Sequence, residues 1–598
     1  MSTTVDSPLA STAGRHPRGP GTRSGLLLLL CCWILGCSPP PAQEAERPNI
    51  ILVITDDQGW AQLGSHGDDV LRTPHLDRLA TESVELTRFY VSPVCAPTRA
   101  SLMTGRYNYR TGVVDTYVGR AMMHSDEVTL AETLSEAGYR TGIFGKWHLG
   151  DNYPLRAMDQ GFQESVVHKG GGIGQPSDPP ETSYFDPILQ HNGKAKPYPG
   201  YCTDIFFREA LEFIEENRES PFFVYIPTNA PHSPYDVPEP YRQSYLETGL
   251  EDKDARIYGM ITNIDDNVGR LLDGLKRMEL EKNTILIFMT DNGATTRRYT
   301  AGLRGLKGTV YDGGIRVPFL LRWPGRLEPG TDGRIAAHID LMPTLLEAAG
   351  IAFPDGVAFD GVSLMSRLDG AGQDPGDRTL FIQSHRGNEP QPFRHFAAIE
   401  QRYKLVQPVA FATRGLPAGE TFEDYPLELY DLEADPGEQQ DISGGRPEVV
   451  GRLRSAYADW LQDVSSSRGY APPRIAVGTV HDDPVILTRQ DWRMVGPDGW
   501  GDTDLGFWEI TVHRAGAYRI RFLFGPASGG GNAELRLQQV RRMQPFDPGT
   551  SEVTFDQVLL DEGETRLQAV LHRGDKPVGV RYVEVSLVQS GSGTSEGR

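Results

Sequence analysis

The stretch IILVITDD, residues 50–57, is an uninterrupted apolar run that ends in two adjacent carboxylates. Similar short apolar runs occupy residues 142–145, 222–226 and 284–290, and none of them alternates with polar residues. Runs of this length and composition are typical of strands that are buried on both faces of a sheet.

Helical patterns lie between these runs, at residues 129–137, 203–217 and 257–278. Strands that alternate with helices predict an α/β fold with a mostly parallel sheet and helices on both faces. In such sheets the carboxyl ends of the strands meet at one edge, and ligands bind there. Each apolar run is followed within a few residues by polar side chains that we expect at that edge: Asp56, Asp57, Lys146, His148, His232, Asp291 and Asn292.

The sequence pattern changes at about residue 379, which leaves residues 47–378 as a catalytic α/β domain. Short strand patterns and one helical pattern predict a smaller α+β subdomain over residues 379–470. Residues 471–589 are rich in alternating strand patterns and predict a terminal β-sandwich. We interpret this sandwich as a packing or spacer module, and the tail 590–598 as disordered.

The N-terminus predicts export. Arginines precede the apolar stretch 26–35, which is shorter than the roughly 20 residues of a membrane helix and fits a signal peptide. The residues before Cys37 resemble a bacterial lipobox, with residues 38–46 as a tether. We expect an exported protein of the bacterial periplasm or cell surface, whose only membrane contact is a lipid anchor. Plain secretion with cleavage near Ala42 is the alternative.

The formal net charge of −21 argues against nucleic acid as a partner, because binding phosphate backbones needs a basic face. An anionic small substrate is compatible with it, since a site can be locally positive inside an acidic protein.

Two cysteines, Cys95 and Cys202, lie outside the signal segment. They are too few for a disulfide framework, although one bridge between them is an alternative. The segment that begins at Cys95 predicts the start of a helix, with Pro97 in its first turn and Gly105 at its end. Helix N-termini favour anions. A buried cysteine beside an ordinary helix is the plainer interpretation.

The same segment, CAPTRASLMTG at residues 95–105, resembles the signature of the type I sulfatases. In that family the cysteine is oxidised to formylglycine by a dedicated maturation enzyme. Other stretches similar to the family occur in the family's order, at residues 49–59, 145–150, 230–232, 290–293 and 303–308, and the resemblance covers roughly residues 47–465. It implies the alkaline phosphatase-like fold and an arylsulfatase-like activity.

Three carboxylates and an amide at one sheet edge predict a cation, because the like charges would otherwise repel each other strongly. Oxygen ligands without histidine suit Ca²⁺ or Mg²⁺, and the resemblance favours one Ca²⁺. An oxygen of the modified Cys95 would complete the shell. Taken singly, these residues could equally be solvated turns. The expected ligands are Asp56, Asp57, Cys95, Asp291 and Asn292.

The resemblance also implies the catalytic roles. Formylglycine at position 95 is hydrated to a geminal diol, and one hydroxyl, activated by the metal and by Asp291, attacks sulfur. Arg99 holds the diol, while Lys146 and Lys307 stabilise charge on the sulfate. His232 or Lys307 protonates the leaving alcohol, and His148 deprotonates the second hydroxyl so that sulfate is expelled. Each of these side chains alone could instead be an ordinary surface residue.

We therefore predict a sulfatase that acts on a sulfated carbohydrate or an aryl sulfate. A phosphate or phosphonate monoester hydrolase of the same superfamily is the main alternative, although so few carboxylates suggest one metal. A surface glycan-binding protein with a dead site is the alternative from another class.

Overall fold

The predicted parallel sheet lies at the centre of the fold. The computed structural model describes residues 47–180, 182–370, 377–409, 420–495, 499–574 and 576–588. The signal segment, Cys37 with its tether, and the tail 590–598 lie outside these residues, so what the sequence predicts for them stays a prediction.

The strands of the first part of the chain, β1 to β13, are Asn49–Thr55, Val84–Leu86, Phe89–Tyr90, Arg140–Lys146, Glu164–His168, Ile188–His191, Lys194–Pro197, Phe222–Pro227, Thr284–Thr290, Arg316–Val317, Phe319–Arg322, Gly330–Asp332 and Ala336–Ala337.

Helices separate the parallel strands β1, β4, β8 and β9 from one another along the chain, as the alternating pattern predicts. Helices α1 to α9 are Pro74–Thr81, Cys95–Thr104, Leu130–Glu136, Cys202–Glu216, Glu239–Leu246, Asp252–Arg277, Asp312–Ile315, Leu341–Ala348 and Met365–Leu368. Within the described residues the main sheet has ten strands, in the order β12-β2-β11-β9-β1-β8-β4-β5-β6-β7. Its middle, from β9 to β5, is entirely parallel, and antiparallel pairs flank it on both sides. The predicted α/β class is confirmed.

Strand β1 shows why its sequence has no polar alternation. Ile50, Leu52 and Ile54 pack into the apolar core on one face of the sheet. Ile51 and Val53 pack into a second core on the opposite face. Since both faces are covered, every side chain of the strand avoids water, and an alternating pattern would place polar groups in a core.

Helix α2 holds Cys95 in its first position and is buried along its whole length. Gly105 ends it in the left-handed conformation, with a φ of 67°, and donates its N–H to the Ser101 carbonyl at 2.9 Å. A Cβ at Gly105 would lie 2.6 Å from Phe359 Cδ1, so the position needs glycine for two separate reasons.

The C-terminal part has the two elements that the sequence predicts. Strands β14 to β17 form an antiparallel sheet that packs against helix α10. Beyond it, within the described residues, a sheet of seven strands and a sheet of four strands enclose one apolar core. The bounds of β14 to β17 and α10 are Leu380–Gln383, Phe396–Ile399, Tyr403–Gln407, Glu428–Asp431 and Pro447–Ser466; those of β18 to β28 are Ile475–Val477, Val485–Thr488, Arg493–Met494, Gly506–Val512, Gly516–Leu523, Gly531–Leu537, Val540–Phe546, Glu552–Leu560, Gly563–Arg573, Lys576–Gly579 and Tyr582–Leu587.

The core of this C-terminal sandwich is completed by residues of the α/β part of the chain. Val118, Met122 and Leu155 belong to the same apolar cluster as the inward-facing residues of the sandwich strands. The residues from Arg47 onward accordingly form one compact unit. No helix among the described residues is long and apolar enough to cross a membrane.

We expect Gly105→Ala to destabilise the protein more than Gly350→Ala. Gly350 has nearly the same φ, 65°, but a Cβ there meets nothing within 4 Å. The control should cost about 1–2 kcal/mol of unfolding free energy for the backbone alone. Gly105→Ala should cost roughly a further 1–3 kcal/mol from overpacking against Phe359. Urea unfolding measures both, and equal losses would show that the contact with Phe359 relaxes freely.

Candidate active site

The carboxyl ends of β1 and β9 place four oxygen-bearing side chains side by side. The strands are parallel neighbours, and their register pairs Thr55 with Thr290, so the residues that follow them are adjacent. The Asp57 backbone N–H lies 3.2 Å from Asp291 Oδ1, and Asn292 Nδ2 donates to Asp57 Oδ1 at 2.8 Å. The predicted convergence at this edge is what the structure shows.

Arg99 faces this cluster from helix α2 and is completely buried. Its Nε and Nη2 both donate to Asp291 Oδ2, at 3.1 and 2.7 Å, and its Nη1 donates to the Lys146 carbonyl at 2.8 Å. These three bonds fix the carboxylate of Asp291 and tie helix α2 to the end of β4. The predicted role of Arg99 in holding the nucleophile stays a prediction, and the structure adds that its guanidinium is paired with Asp291.

Two lysines complete the charge pattern. Lys146 Nζ donates to Asp56 Oδ2 at 2.7 Å, and both side chains are inaccessible to solvent. Lys307 Nζ donates to Asp57 Oδ1. Three carboxylates are thus matched by three cationic side chains, so the cluster is close to neutral before any ion is added.

The loop that carries Lys307 is held against the end of β9 by close backbone contacts. The Lys307 N–H donates to the Ala294 carbonyl at 2.9 Å. A Cβ on Gly293 would lie 2.0 Å from the Gly313 carbonyl oxygen, so the two backbones approach more closely than any other residue at Gly293 would allow. The glycine-rich loop that carries Lys307 is therefore packed in place by its own glycines and by Gly293.

The residues present fit a divalent cation. Asp56, Cys95 and Asp291 each offer a ligand atom, and these atoms lie within 4.8 Å of one another. Asp56 Oδ1 and Asn292 Oδ1 are buried and have no hydrogen-bond partner within the described part of the chain. Buried oxygens without donors are costly, and a cation that they ligate would satisfy them.

The three carboxyl groups have different acidities. Burial, reinforced by the negative charge of Asp56, raises the pKa of Asp291 to about 6. Burial would also raise the pKa of Asp57, but Lys307 and His232 together hold that pKa below its usual range. Asp57 is further marked by a left-handed backbone, with a φ of 74°, which is uncommon outside glycine and costs roughly 1–3 kcal/mol.

Cys95 is a free thiol at the N-terminus of α2, and Cys202 is free as well, so the alternative of a bridge between them is wrong. The Cys202 thiol instead donates to Asn229 Oδ1 at 3.3 Å. Burial raises the pKa of the Cys95 thiol, although Lys146 and Lys307 oppose the shift. An unmodified Cys95 is consequently protonated at neutral pH and a weak nucleophile.

Both predicted histidines reach the site. His148 Nε2 is 2.7 Å from the Thr116 carbonyl, which fixes the proton on Nε2, while its Nδ1 is buried and has no partner among the residues described. Burial, together with Lys146, lowers the pKa of His148 well below its usual value. His232 Nδ1 is 2.6 Å from the Ser233 carbonyl, and its Nε2 is 3.9 Å from Asp57 Oδ2. Burial lowers the pKa of His232 to about 4.

A pocket of about 300 Å³ opens in front of Cys95. His148, His232 and Lys307 line it, as the convergence of strand ends predicts. Six other lining residues were not predicted from the sequence, because they lie in loops without periodicity. These residues are Val94, Thr116, Tyr117, Gln175, Arg386 and Trp500.

The geometry agrees with what comparison with known proteins finds. A family model described as Sulfatase matches residues 48–351, which is half of the chain. A second model, described as N-sulphoglucosamine sulphohydrolase, C-terminal, matches residues 306–455. The chain belongs to the sulfatase family. It is a type I sulfatase and therefore an enzyme that hydrolyses sulfuric esters.

The relatives of this sulfatase act on several sulfated compounds. Human arylsulfatase A is 32% identical over 495 residues, which cover 74% of this chain and 92% of the relative. An N-acetylgalactosamine-6-O-sulfatase of Bacteroides thetaiotaomicron is 29% identical over 487 residues, covering 69% and 92%. The crystal structure of Ps i-CgsB in complex with k-i-k-neocarrahexaose is similar with a TM-score of 0.61 and 27% identity, covering 70% of this chain and 93% of that one.

A second acidic cluster of the sulfatase provides a control for metal binding. His75, Asp265 and Asp266 also bring their ligand atoms within 4.8 Å of one another. Asp265, however, accepts the backbone N–H groups of His75 and Leu76 at 3.2 and 2.7 Å, so it caps the start of helix α1. Its burial and charge are therefore explained without a cation.

We expect a divalent cation to stabilise the EDTA-treated sulfatase through Asp56. At 100 times the dissociation constant, a cation that binds only the folded state adds about 2.7 kcal/mol. Asp56→Ala should abolish the rise in melting temperature on adding Ca²⁺ or Mg²⁺, because it removes a ligand oxygen. Asp266→Ala, in the second cluster, should keep the rise. If the rise in melting temperature persists in Asp56→Ala and disappears in Asp266→Ala, the cation binds at the second cluster and the prediction is wrong.

Proposed function

We propose that this enzyme hydrolyses sulfate esters of carbohydrates, with formylglycine made from Cys95 as its nucleophile and one Ca²⁺ at the oxygen cluster. The observation that carries the proposal is the position of Cys95, at a helix N-terminus in a pocket that also exposes Lys307 and two histidines. The relatives that act on galactosamine sulfate and bind a carrageenan oligosaccharide support a carbohydrate as substrate.

The charge balance of the site explains how an acidic protein takes an anionic substrate. Three carboxylates and three cationic side chains nearly cancel. A Ca²⁺ among them leaves an excess of about two positive charges beside Cys95, in a pocket whose walls exclude much of the solvent. Lys307 lines this pocket, so its ammonium group is available to a bound sulfate, and the buried Lys146 contributes charge without lining the pocket.

Membership of the sulfatase family implies two groups at this site, a formylglycine and a metal ion. Hydrated formylglycine at position 95 would supply a hydroxyl nucleophile, and Ca²⁺ held by Asp56, Asp57, Asp291 and Asn292 would supply a fixed positive charge beside it. A maturation enzyme that oxidises Cys95 is thus an expected partner. Its action must precede the burial of Cys95, which is 3% exposed in the folded protein.

The two histidines suit opposite proton transfers. The Nδ1 of His148 carries no proton in the tautomer that Thr116 imposes, and its low pKa keeps it neutral, so it can accept a proton. His232 donates from Nδ1 to the Ser233 carbonyl, and it can protonate a leaving alcohol from Nε2 only as an imidazolium. The negative charge of a bound sulfate ester raises its pKa toward that state.

The first test is sulfate release together with the state of Cys95. The active enzyme should release sulfate from sulfated sugars, and peptide mass spectrometry should show the aldehyde at position 95. Cys95→Ala should lose essentially all turnover while keeping its melting temperature. Cys202→Ala, at the other buried thiol, should remain active. Full activity with unmodified cysteine would refute the nucleophile, and faster release of phosphate than sulfate from matched aryl esters would favour a phosphate ester hydrolase.

The second test separates the acid from the electrostatic residues. A sugar alkoxide needs a proton to leave, whereas nitrophenolate needs little help. We expect His232→Ala to lower kcat/KM for sugar sulfates by about 10²–10⁴-fold and to affect nitrophenyl sulfate much less. Lys307→Ala should lower both by about 10²–10³-fold, much of it in kcat. Equal losses on the two substrates for His232→Ala would exclude it as the acid.

A further inference from the structure

Three separate parts of the chain build the pocket in front of Cys95. The catalytic domain contributes Cys95, His148, His232 and Lys307, while Arg386 comes from the segment after β14. Trp500 comes from the C-terminal sandwich, between β20 and β21. A module that served only as packing or as a spacer would have no need to place an aromatic side chain at the mouth of the active site.

Trp500 is held in place by contacts with the sandwich and with Tyr117. Its indole packs against the core of the sandwich, and its carbonyl accepts a hydrogen bond from Arg489 Nη1 at 3.1 Å. Its ring meets the ring of Tyr117 edge to face, with centroids 5.0 Å apart and an interplanar angle of 69°. The guanidinium of Arg386 lies over the same tyrosine ring, 4.4 Å from its centroid. The outer wall of the pocket is therefore a fixed aromatic surface.

The sandwich is also joined to the catalytic machinery by direct hydrogen bonds. Gln490 Nε2 donates to the Thr116 carbonyl at 2.9 Å, and the Gln490 carbonyl accepts from the Gly119 N–H at 2.8 Å. The Thr116 carbonyl also accepts from His148 Nε2 at 2.7 Å. One carbonyl thus bonds both His148 and a residue of the sandwich, which ties the module that carries Trp500 to the part of the pocket that carries His148.

This arrangement divides the pocket by chemistry. Around Cys95 the pocket carries Lys307 and the two histidines, which suit the sulfate group. Its lining also includes Trp500, whose flat apolar indole suits the C–H face of a sugar ring, while Tyr117 supports the indole and is itself covered by Arg386. At about 300 Å³ the pocket is at the small end of ligand sites, which matches one sugar ring rather than a long chain.

We propose that Trp500 is a substrate-binding residue, whose indole stacks on the sugar that carries the sulfate, and that the C-terminal sandwich is part of the active site. This proposal rests on the proposed hydrolysis of carbohydrate sulfates. It adds that the sugar is recognised by a side chain outside the sulfatase family models, which end at residue 455.

The test compares Trp500→Ala, Trp500→Phe and His481→Ala. His481 is an exposed sandwich residue that stacks on Tyr153 of the catalytic domain, with ring centroids 4.5 Å apart, and it does not line the pocket. His481→Ala therefore weakens the same interface without changing the aromatic wall. The readouts are KM and kcat on a cleaved sugar sulfate, inhibition by inorganic sulfate, and the melting temperature.

We expect Trp500→Ala to raise KM for the sugar sulfate roughly tenfold, the equivalent of about 1.4 kcal/mol of lost contact, with little change in kcat. Trp500→Phe should recover most of the loss, because a smaller ring still stacks. Inhibition by inorganic sulfate should stay unchanged in both, since sulfate has no sugar ring, and His481→Ala should behave as the wild type.

Three results would overturn the proposal. Wild-type KM in Trp500→Ala would show that the indole does not contact the sugar. An equal rise of KM in His481→Ala, or an equal weakening of sulfate inhibition in Trp500→Ala, would show that the sandwich acts only by supporting the fold. If the wild type released no sulfate from any sugar, the proposed function itself would fail. If the wild type is active and Trp500→Ala has the same KM, only this inference is refuted.

Discussion

The structure depends on the pairing of buried charges at one edge of the parallel sheet. A single unpaired charge at these positions would cost several kcal/mol, so each carboxylate requires its partner. The partners come from helix α2, from strand β4, which lies two strands away from β1, and from a glycine-rich loop, and the need to pair fixes all three elements around Cys95. The pairs are Arg99 with Asp291, Lys146 with Asp56, and Lys307 with Asp57.

The same pairing explains why so much of the site is predictable from sequence. The buried strands can be recognised in the sequence as apolar runs, because their side chains pack into a core on each face of the sheet. On β1 the adjacent side chains of Ile51 and Leu52 pack into the two cores on opposite faces. Once β1 and β9 are recognised as parallel, Asp57 and Asp291 must meet, because both follow carboxyl ends. The proposed role of Cys95 as nucleophile rests on a resemblance to the family, since its position at a helix start would suit an ordinary buried thiol.

The wall of the pocket that Tyr117, Arg386 and Trp500 form could not be predicted from the sequence, for a physical reason. Tyr117, Arg386 and Trp500 lie in loops, where neither the strand nor the helix period applies, and their meeting depends on how three parts of the chain pack. The partner of Arg99 was missed for a related reason. A positive charge near a nucleophile suggests a contact with substrate, whereas a buried guanidinium first needs a carboxylate of its own.

The apolar core that Val118, Met122 and Leu155 share with the sandwich has a consequence for how such proteins can be shortened or recombined. The region that the sulfatase family models match ends at residue 455, before the sandwich begins. A cut made at that limit would leave these three side chains facing water, and an exposed apolar patch invites aggregation. The limit of the family match and the limit of independent folding therefore fall at different residues of this chain.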